Sequence, residues 1–331
     1  MINKKKYGQY YTTNCDYILK DFVIPNNVKL IEPFVGQGDL VKWSKRNDWD
    51  LYDIDPKINA IAQNTLLNPP DYKDKYVITN PPFLAKNKNK DKTIYEKYNV
   101  GDLYKAAIKS FIIGDVIGGI LIVPLNFLCD RDKSLRNLFF EKYSIDKINV
   151  FEETVFDDTS YTICAFSFER KKFNGSIKFL FYPNSDSRTL SLSKECGWSI
   201  GSEVFQKTKQ KPKYKLSRLI EGEKPSTTIF LHAIDTGTDK GRIRLIPNHK
   251  LHYDETENKS ERCFASITCN IKINDEKLIC EKFNEELEKN RKKYKSLFLT
   301  NYRNSTKSYA RKRISFKQCY NLLEKILLKY N

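Results

Sequence analysis

Val28-Lys-Leu-Ile-Glu32-Pro-Phe-Val-Gly36-Gln-Gly38-Asp39 decides the fold class of this 331-residue chain. The apolar run Val28 to Ile31 reads as a buried strand, a glycine turn follows, and Leu40 to Arg46 has the pattern of a helix. A strand passing through such a turn into a helix is the first βα unit of a doubly wound, nucleotide-binding sheet. Gly36 and Gly38 let the backbone turn and approach a ligand with no Cβ in the way. The third glycine of the dinucleotide fingerprint is missing. A second strand, Asp50-Leu-Tyr-Asp53, ends in an acid 21 positions after Glu32. A carboxylate placed there accepts hydrogen bonds from the ribose hydroxyls of an adenosine, and Asp55-Pro56 is expected to open the next helix.

The strand Tyr76-Val-Ile-Thr79 runs into Asn80-Pro-Pro-Phe83. An exocyclic amine on adenine or cytosine is a poor nucleophile because its lone pair is delocalised into the ring. The Asn80 side-chain carbonyl and the Pro81 backbone carbonyl together can accept both N–H hydrogens and turn the lone pair toward an electrophilic methyl group. Pro81 and Pro82 fix φ near −65° and stiffen that presentation, while Phe83 offers a flat face to a base that has left its stack. Ahead of the first strand, Lys6-Tyr-Gly-Gln-Tyr-Tyr-Thr-Thr13 is rich in aromatic and hydroxyl groups, with Tyr10, Tyr11 and Thr12 suited to lie over the methionine end of a cofactor.

Taken in order and spacing, GQYYTT, EPFVGQGD, DIDP and NPPF resemble the γ-class, TaqI-like DNA adenine-N6 methyltransferases of restriction-modification systems. The resemblance covers roughly residues 4–170. It implies S-adenosylmethionine as cofactor and a flipped-out adenine in double-stranded DNA as substrate. It also implies a cognate restriction endonuclease as genetic partner. Residue by residue, it places Tyr10, Tyr11 and Thr12 in the N-terminal cofactor motif and Glu32, Pro33, Gly36 and Gly38 in the glycine loop. Asp53 becomes the ribose acid, and Asn80, Pro81, Pro82 and Phe83 the catalytic loop. Thr13 stands where the family usually has proline, and Phe83 replaces the commoner tyrosine. The acid that receives the cofactor's adenine amine is absent, leaving Asn64 as a neutral and weaker acceptor. The family's second stacking aromatic is matched to Phe168, with Phe156 and Tyr161 as competitors.

The implied architecture is α/β: a seven-stranded mixed sheet of the class I methyltransferase type over residues 1–170, then a smaller basic α+β target-recognition domain over 171–331. Gly101 to Ile113 reads as helical. Gly119 to Pro124, Lys147 to Phe151 and Thr162 to Phe168 read as strands, and the final amphipathic helix is Phe316 to Tyr330. Charge supports the division. Residues 1–169 hold 23 Lys and Arg against 23 Asp and Glu, and residues 170–331 hold 35 against 18, so the whole +17 lies in the second half. A neutral half joined to a basic half suggests a polyanion for the second.

Within the basic half, Lys207 to Lys215 suits phosphate tracking. Lys240, Arg242 and Arg244 lie in a glycine-rich hairpin, the two arginines on one side by the period of two and able to read guanine. Arg311 and Arg313 are further DNA-contact candidates, as is Lys86 at the start of 86–92, whose composition suggests a mobile segment. Eight cysteines without a CxxC pair and three histidines argue against a metal site and for a reducing compartment. No run approaches the ~18 apolar residues of a membrane span, so none is expected; a cytoplasmic location and a monomeric state are further expectations. An RNA or protein-glutamine methyltransferase shares this type of loop, but GQYYTT and the basic half speak against the glutamine version. A non-catalytic DNA-binding module is the other alternative, and the intact Asn80, Gly36, Gly38 and Asp53 speak against it.

Overall fold

Apolar runs capable of burial on both faces form the centre of a nine-stranded sheet. The computed structural model describes residues 8–129, 132–156, 161–207, 213–236, 242–256, 263–303 and 311–331, with backbone alone for 301–303 and 311. The chain divides into two compact units, Met1–Trp198 and Ser199–Asn331.

In the first unit the strands are β1 (Lys29–Glu32), β2 (Trp49–Asp53), β3 (Ile61–Ala62), β4 (Lys75–Thr79), β5 (Gly118–Pro124), β6 (Ser144–Phe151), β7 (Ile163–Glu169), β8 (Ser176–Tyr182) and β9 (Asp186–Ser191). Their spatial order is β3-β2-β1-β4-β5-β7-β6-β8-β9. From β3 through β5 the neighbours run parallel; β7 is antiparallel to β5 and β6, β8 is parallel to β6, and β9 is antiparallel to β8. β5 is buried at every position, as a strand covered on both faces must be. The helices are α1 (Cys15–Ile18), α2 (Asp39–Ser44), α3 (Thr93–Tyr98), α4 (Leu103–Gly114), α5 (Asn126–Cys129) and α6 (Ser134–Lys142). The chain leaves β1 toward β2 and β3, then crosses to the other side of β1 to form β4 and β5. That reversal opens a crevice beyond the carboxyl ends of β1 and β4, where open α/β sheets bind ligands.

Three expectations change here. The sheet has nine strands, not seven, and the division falls after Trp198, not after residue 170. The cause of both is β8: Ile177, Phe179 and Phe181 alternate inward with at most 1% exposure, and β8 pairs with β6 in the register Ile148↔Phe179. The basic run Arg170-Lys-Lys172 lies at the turn before it and does not mark a domain junction. The helix expected from Asp55-Pro56 does not form. The Asp55 carboxylate accepts the Lys57 N–H at 3.0 Å, closing a short turn, and the chain runs into β3.

The second unit is α+β. Strands β10 (Leu216–Arg218), β11 (Phe230–His232), β12 (Arg244–Ile246) and β13 (Phe264–Cys269) form an antiparallel sheet in the order β10-β13-β11-β12. Helix α7 (Glu276–Tyr294) runs beside the edge strand β12. The Asn284 amide accepts the Leu245 N–H and donates to the Leu245 carbonyl, both at 2.9 Å, satisfying the open edge. A two-stranded ribbon, β14 (Thr300–Arg303) and β15 (Arg311–Arg313), precedes α8 (Phe316–Tyr330). α8 starts on a capping box between Ser315 and Gln318 and has the bounds its apolar spacing predicts. Buried inside this unit, the Arg291 guanidinium donates to the Asp235 carboxylate at 2.8 Å. Among the described residues no helix is long and apolar enough to cross a membrane.

Candidate active site

The crevice at the reversal is a cavity of about 350 Å³, within the range of ligand sites. The segments after β1, β2, β3 and β4, together with the N-terminal segment, contribute to it. After β1, Gly36 (φ +54°) and Gly38 (φ +73°) both take left-handed conformations, and a Cβ on Gly36 would stand 3.0 Å from the Tyr11 ring. After β2, Asp53 is 4% exposed; its carboxylate accepts the Gly36 N–H and the Asp55 N–H, each at 2.8 Å. It thereby holds the glycine loop against its own turn while still lining the cavity. Phe34, Ile54 and Leu66 supply apolar wall. Ile54, 44% exposed, is a large apolar lining side chain that no motif in the sequence singles out.

The N-terminal segment lies across the loop after β4. Phe83 N–H donates to the Gly8 carbonyl at 2.8 Å, and a Cβ on Gly8 (φ +67°) would be 2.6 Å from the Phe83 oxygen, so glycine is required there. The Asn80 amide nitrogen donates to the Tyr10 carbonyl at 2.7 Å and to the Thr12 hydroxyl at 3.0 Å. These two bonds fix which way the carboxamide faces. Its oxygen, Oδ1, is buried and has no hydrogen-bond partner among the described residues. A buried acceptor without a donor costs roughly 1–3 kcal/mol, so it marks a place where a donor is due.

Of the predicted residues, Tyr10, Tyr11, Thr12, Gly36, Asp53, Asn64, Asn80 and Pro82 line this one cavity. Glu32, Pro33, Gly38, Pro81 and Phe83 do not line it. Glu32 lies beneath the loop at 1% exposure, where its carboxyl accepts the Phe34 N–H at 2.9 Å and the Thr79 hydroxyl at 2.5 Å, tying β1 to β4. Burial pushes its pKa up to about 8, against the lowering pull of those two bonds. The folded chain therefore holds this proton over a pH range in which the unfolded chain, titrating near 4.5, has lost it. The contribution is fully present below about 4.5 and is lost as pH rises through about 8. Glu32→Gln keeps the acceptor and removes the titration. Its melting temperature should gain on that of the wild type between pH 5.5 and 8.5; parallel curves would mean Glu32 titrates no differently in the fold.

Other placements depart from expectation. Asn64 lines the cavity, yet its carbonyl already accepts the Leu66 and Leu67 N–H groups at 3.2 Å, closing its own turn. Phe83 is 2% exposed and its ring stacks on Tyr10, centroids 5.5 Å apart at 27°, with Tyr104 and Tyr161 edge-on. Its stacking face is thus covered. Phe168 is core, packed among Phe139, Tyr143 and Phe166; of the three aromatic candidates it is Tyr161 that stands beside the Asn-Pro-Pro-Phe loop. Segment 86–92, expected to be mobile, folds as a 3-10 turn, Lys86–Lys88, with Asp91 bonding the Thr93 N–H at 2.9 Å ahead of α3. Asn89 and Asp91 line the cavity, and Lys86 faces Glu96 at 3.6 Å.

Asp102, ahead of α4, fixes the far side of the loop after β4 by accepting the Leu84 N–H at 3.1 Å; burial pushes its pKa up to about 6. In the second unit Arg242 pairs with Glu288 of α7 at 3.3 Å, so its guanidinium is turned to a carboxylate within the fold. Lys240, residues 208–212 of the lysine segment and the Arg311 side chain lie outside the described residues, and Arg313 is half-buried on β15.

No family model matches the sequence, and no curated protein matches it. Among solved structures, one similar chain is a modification subunit assigned to a type I restriction enzyme of Vibrio vulnificus, at 12% identity and TM-score 0.44, covering 59% of this chain and 51% of that one. A second is described as a class I S-adenosylmethionine-dependent methyltransferase of Listeria monocytogenes, at 14% and 0.39, covering 50% and 61%. The third is the methyltransferase subunit of a type I restriction-modification system of Streptococcus thermophilus, at 14% and 0.41, covering 53% and 48%. This chain therefore spans about half to three-fifths of the length of the structures it resembles.

Proposed function

We propose that this chain is an S-adenosylmethionine-dependent DNA methyltransferase of the γ-class, acting on N6 of an adenine turned out of the duplex. One observation carries the reading. Asn80, at the carboxyl end of β4, presents a buried, unpartnered carbonyl oxygen in the same cavity as a glycine loop and an acid at the end of β2. The lining fits the cofactor by its donor and acceptor set: Asp53 for a ribose, Ile54, Phe34 and Leu66 for an adenine face, and Tyr10 and Thr12 beside Asn80. Bound, the cofactor supplies an electrophilic methyl group.

The chain's own residues do the rest. Asn80 Oδ1 accepts one amine N–H, and its orientation cannot invert while its nitrogen is held by Tyr10 and Thr12. The Pro81 carbonyl, outside the cavity lining in this conformation, would accept the second N–H once the loop shifts, leaving the nitrogen lone pair free for the methyl group the cofactor would supply. Alignment to about 3–3.5 Å does most of the catalysis, and the product cation sheds its proton to solvent without a dedicated base. Phe83 stacks on the base once the Tyr10 ring gives way, because Tyr10 now covers that face. The basic second unit would serve as the DNA-binding domain, its 29 Lys and Arg outnumbering 16 Asp and Glu over residues 199–331.

Titration calorimetry with S-adenosylmethionine tests the pocket without any assumption about the acceptor. Saturable one-site binding in the micromolar range is expected; no heat and no shift in melting temperature at millimolar cofactor would remove the basis of the proposal.

A further inference from the structure

The polar groups that line the cavity from the segments after β3 and β4 are unevenly committed. The Asn64 carbonyl is spent on the Leu66 and Leu67 N–H groups. The Thr65 hydroxyl donates to the Pro33 carbonyl at 3.1 Å. Asn89 accepts the Asp91 N–H at 3.2 Å and donates to the Tyr95 hydroxyl at 3.3 Å. Asp91 differs. The Thr93 N–H and the Thr93 hydroxyl both go to its Oδ1, at 2.9 and 2.6 Å, and among the described residues no hydrogen bond or ion pair reaches Oδ2. The Thr93 hydroxyl and then its N–H hold this carboxyl below the usual carboxylate range, so it is an anion at neutral pH. Asp91 is also exposed, which leaves Oδ2 open to a ligand.

The same segment carries an apolar wall. The Leu84 carbonyl accepts the Tyr95 hydroxyl at 2.9 Å and the Leu103 N–H at 3.2 Å, gathering α3 and the start of α4 around Leu84. The Lys97 ammonium donates to the Leu66 and Leu67 carbonyls at 3.2 and 2.6 Å, tying the turn of Asn64 to α3. Leu66, Leu84, Ile94 and Leu103 thereby line the cavity together with Asp91. The other lining acids, Asp39 and Asp53, are grouped around Tyr11 and the glycine loop.

We propose that Asp91 Oδ2 accepts the exocyclic 6-amino group of the cofactor's adenine, and that it makes the pocket select a 6-amino over a 6-oxo purine. The inference rests on the reading of this cavity as an S-adenosylmethionine site. A flat apolar ring with an amine at its edge matches an apolar wall with one acceptor at its edge. An ionised carboxylate only accepts, so it bonds an amine N–H and repels a carbonyl oxygen, whereas a carboxamide can turn and meet either. That separates Asp91 from Gln63, a neutral acceptor in the same lining whose amide nitrogen donates to the Asn68 carbonyl at 2.6 Å.

Titration calorimetry on the full chain with S-adenosylmethionine and with S-inosylmethionine, its 6-oxo analogue, tests this. The wild type should bind S-adenosylmethionine at least about tenfold more tightly than the analogue. Asp91→Asn keeps an oxygen for the Thr93 N–H and hydroxyl but sets a donor where Oδ2 was. It should lose about tenfold on S-adenosylmethionine and gain on the analogue, so that the preference disappears. If Asp91 only closes the turn ahead of α3, the variant weakens both ligands alike and keeps their ratio, which would overturn the inference. Loss of the preference in Gln63→Leu with an unchanged ratio in Asp91→Asn would overturn it as well. Melting temperature, read on each variant, shows that the fold is intact. Binding of neither ligand by the wild type would instead remove the cofactor reading itself, and the role of Asp91 with it.

Discussion

Asn80→Ala should lower methyl transfer at least about 100-fold, the scale on which a single preorganised hydrogen-bonding group acts in a water-poor site. The expectation follows from orientation as much as from chemistry. The carboxamide nitrogen is spent on the Tyr10 carbonyl and the Thr12 hydroxyl, so the carbonyl oxygen is left to meet the amine, and among the described residues nothing bonds to it. DNA affinity should stay within a few-fold, because Asn80 meets only the extruded base. The two lost bonds loosen the N-terminal segment, so cofactor affinity should be measured beside turnover. Loss of turnover with cofactor and DNA binding retained assigns Asn80 to the chemical step; retained turnover would remove the loop from the mechanism.

Asp53→Ala should weaken S-adenosylmethionine binding at least about 100-fold, since two hydrogen bonds to a charged group contribute roughly 1.5–3 kcal/mol each. The same carboxylate accepts the Gly36 and Asp55 N–H groups. Ala therefore also leaves two loop donors without acceptors and lets the glycine turn drift. Asp53→Asn separates the two effects: its one oxygen can still accept from Gly36, while the charge is gone. An Asn variant with affinity between wild type and Ala supports a direct contact with the ribose. An Asn variant equal to wild type would mean that Asp53 only braces the loop. Calorimetry on the three proteins distinguishes these outcomes.

The parallel half of the sheet and the cavity were legible because each depends on local pattern. Short apolar runs marked β1, β4 and β5, and the residue at the end of a parallel strand is the one that reaches the crevice, which is why Asp53 and Asn80 could be placed from sequence. What failed depended on contacts far apart in the chain. Phe168 and Tyr161 are both aromatic and close in sequence, but only the register of β7 against β5 decides that Phe168 faces Phe139 and the core. The covering of Phe83 by Tyr10 joins residues 73 positions apart. Arg242 looked available in a hairpin until α7, more than 30 residues downstream, supplied Glu288. Segment 86–92 departs from its composition for a different reason. Its lysine and asparagine composition suggests a solvated coil, but Asp91 caps the following turn and Lys86 N–H bonds the Gly101 carbonyl at 2.9 Å.

Passage of a methyl group from S-adenosylmethionine to an amine held at Asn80 is the reaction proposed. Its most direct test is to incubate the chain with isotope-labelled cofactor and, separately, mixed-sequence duplex DNA, RNA and protein, then digest each and identify the labelled product by mass spectrometry. Labelled N6-methyladenine in the DNA digest alone, absent with Asn80→Ala, is the predicted result. Label on RNA or on a glutamine side chain, or labelled DNA with Asn80→Ala equal to wild type, would contradict it.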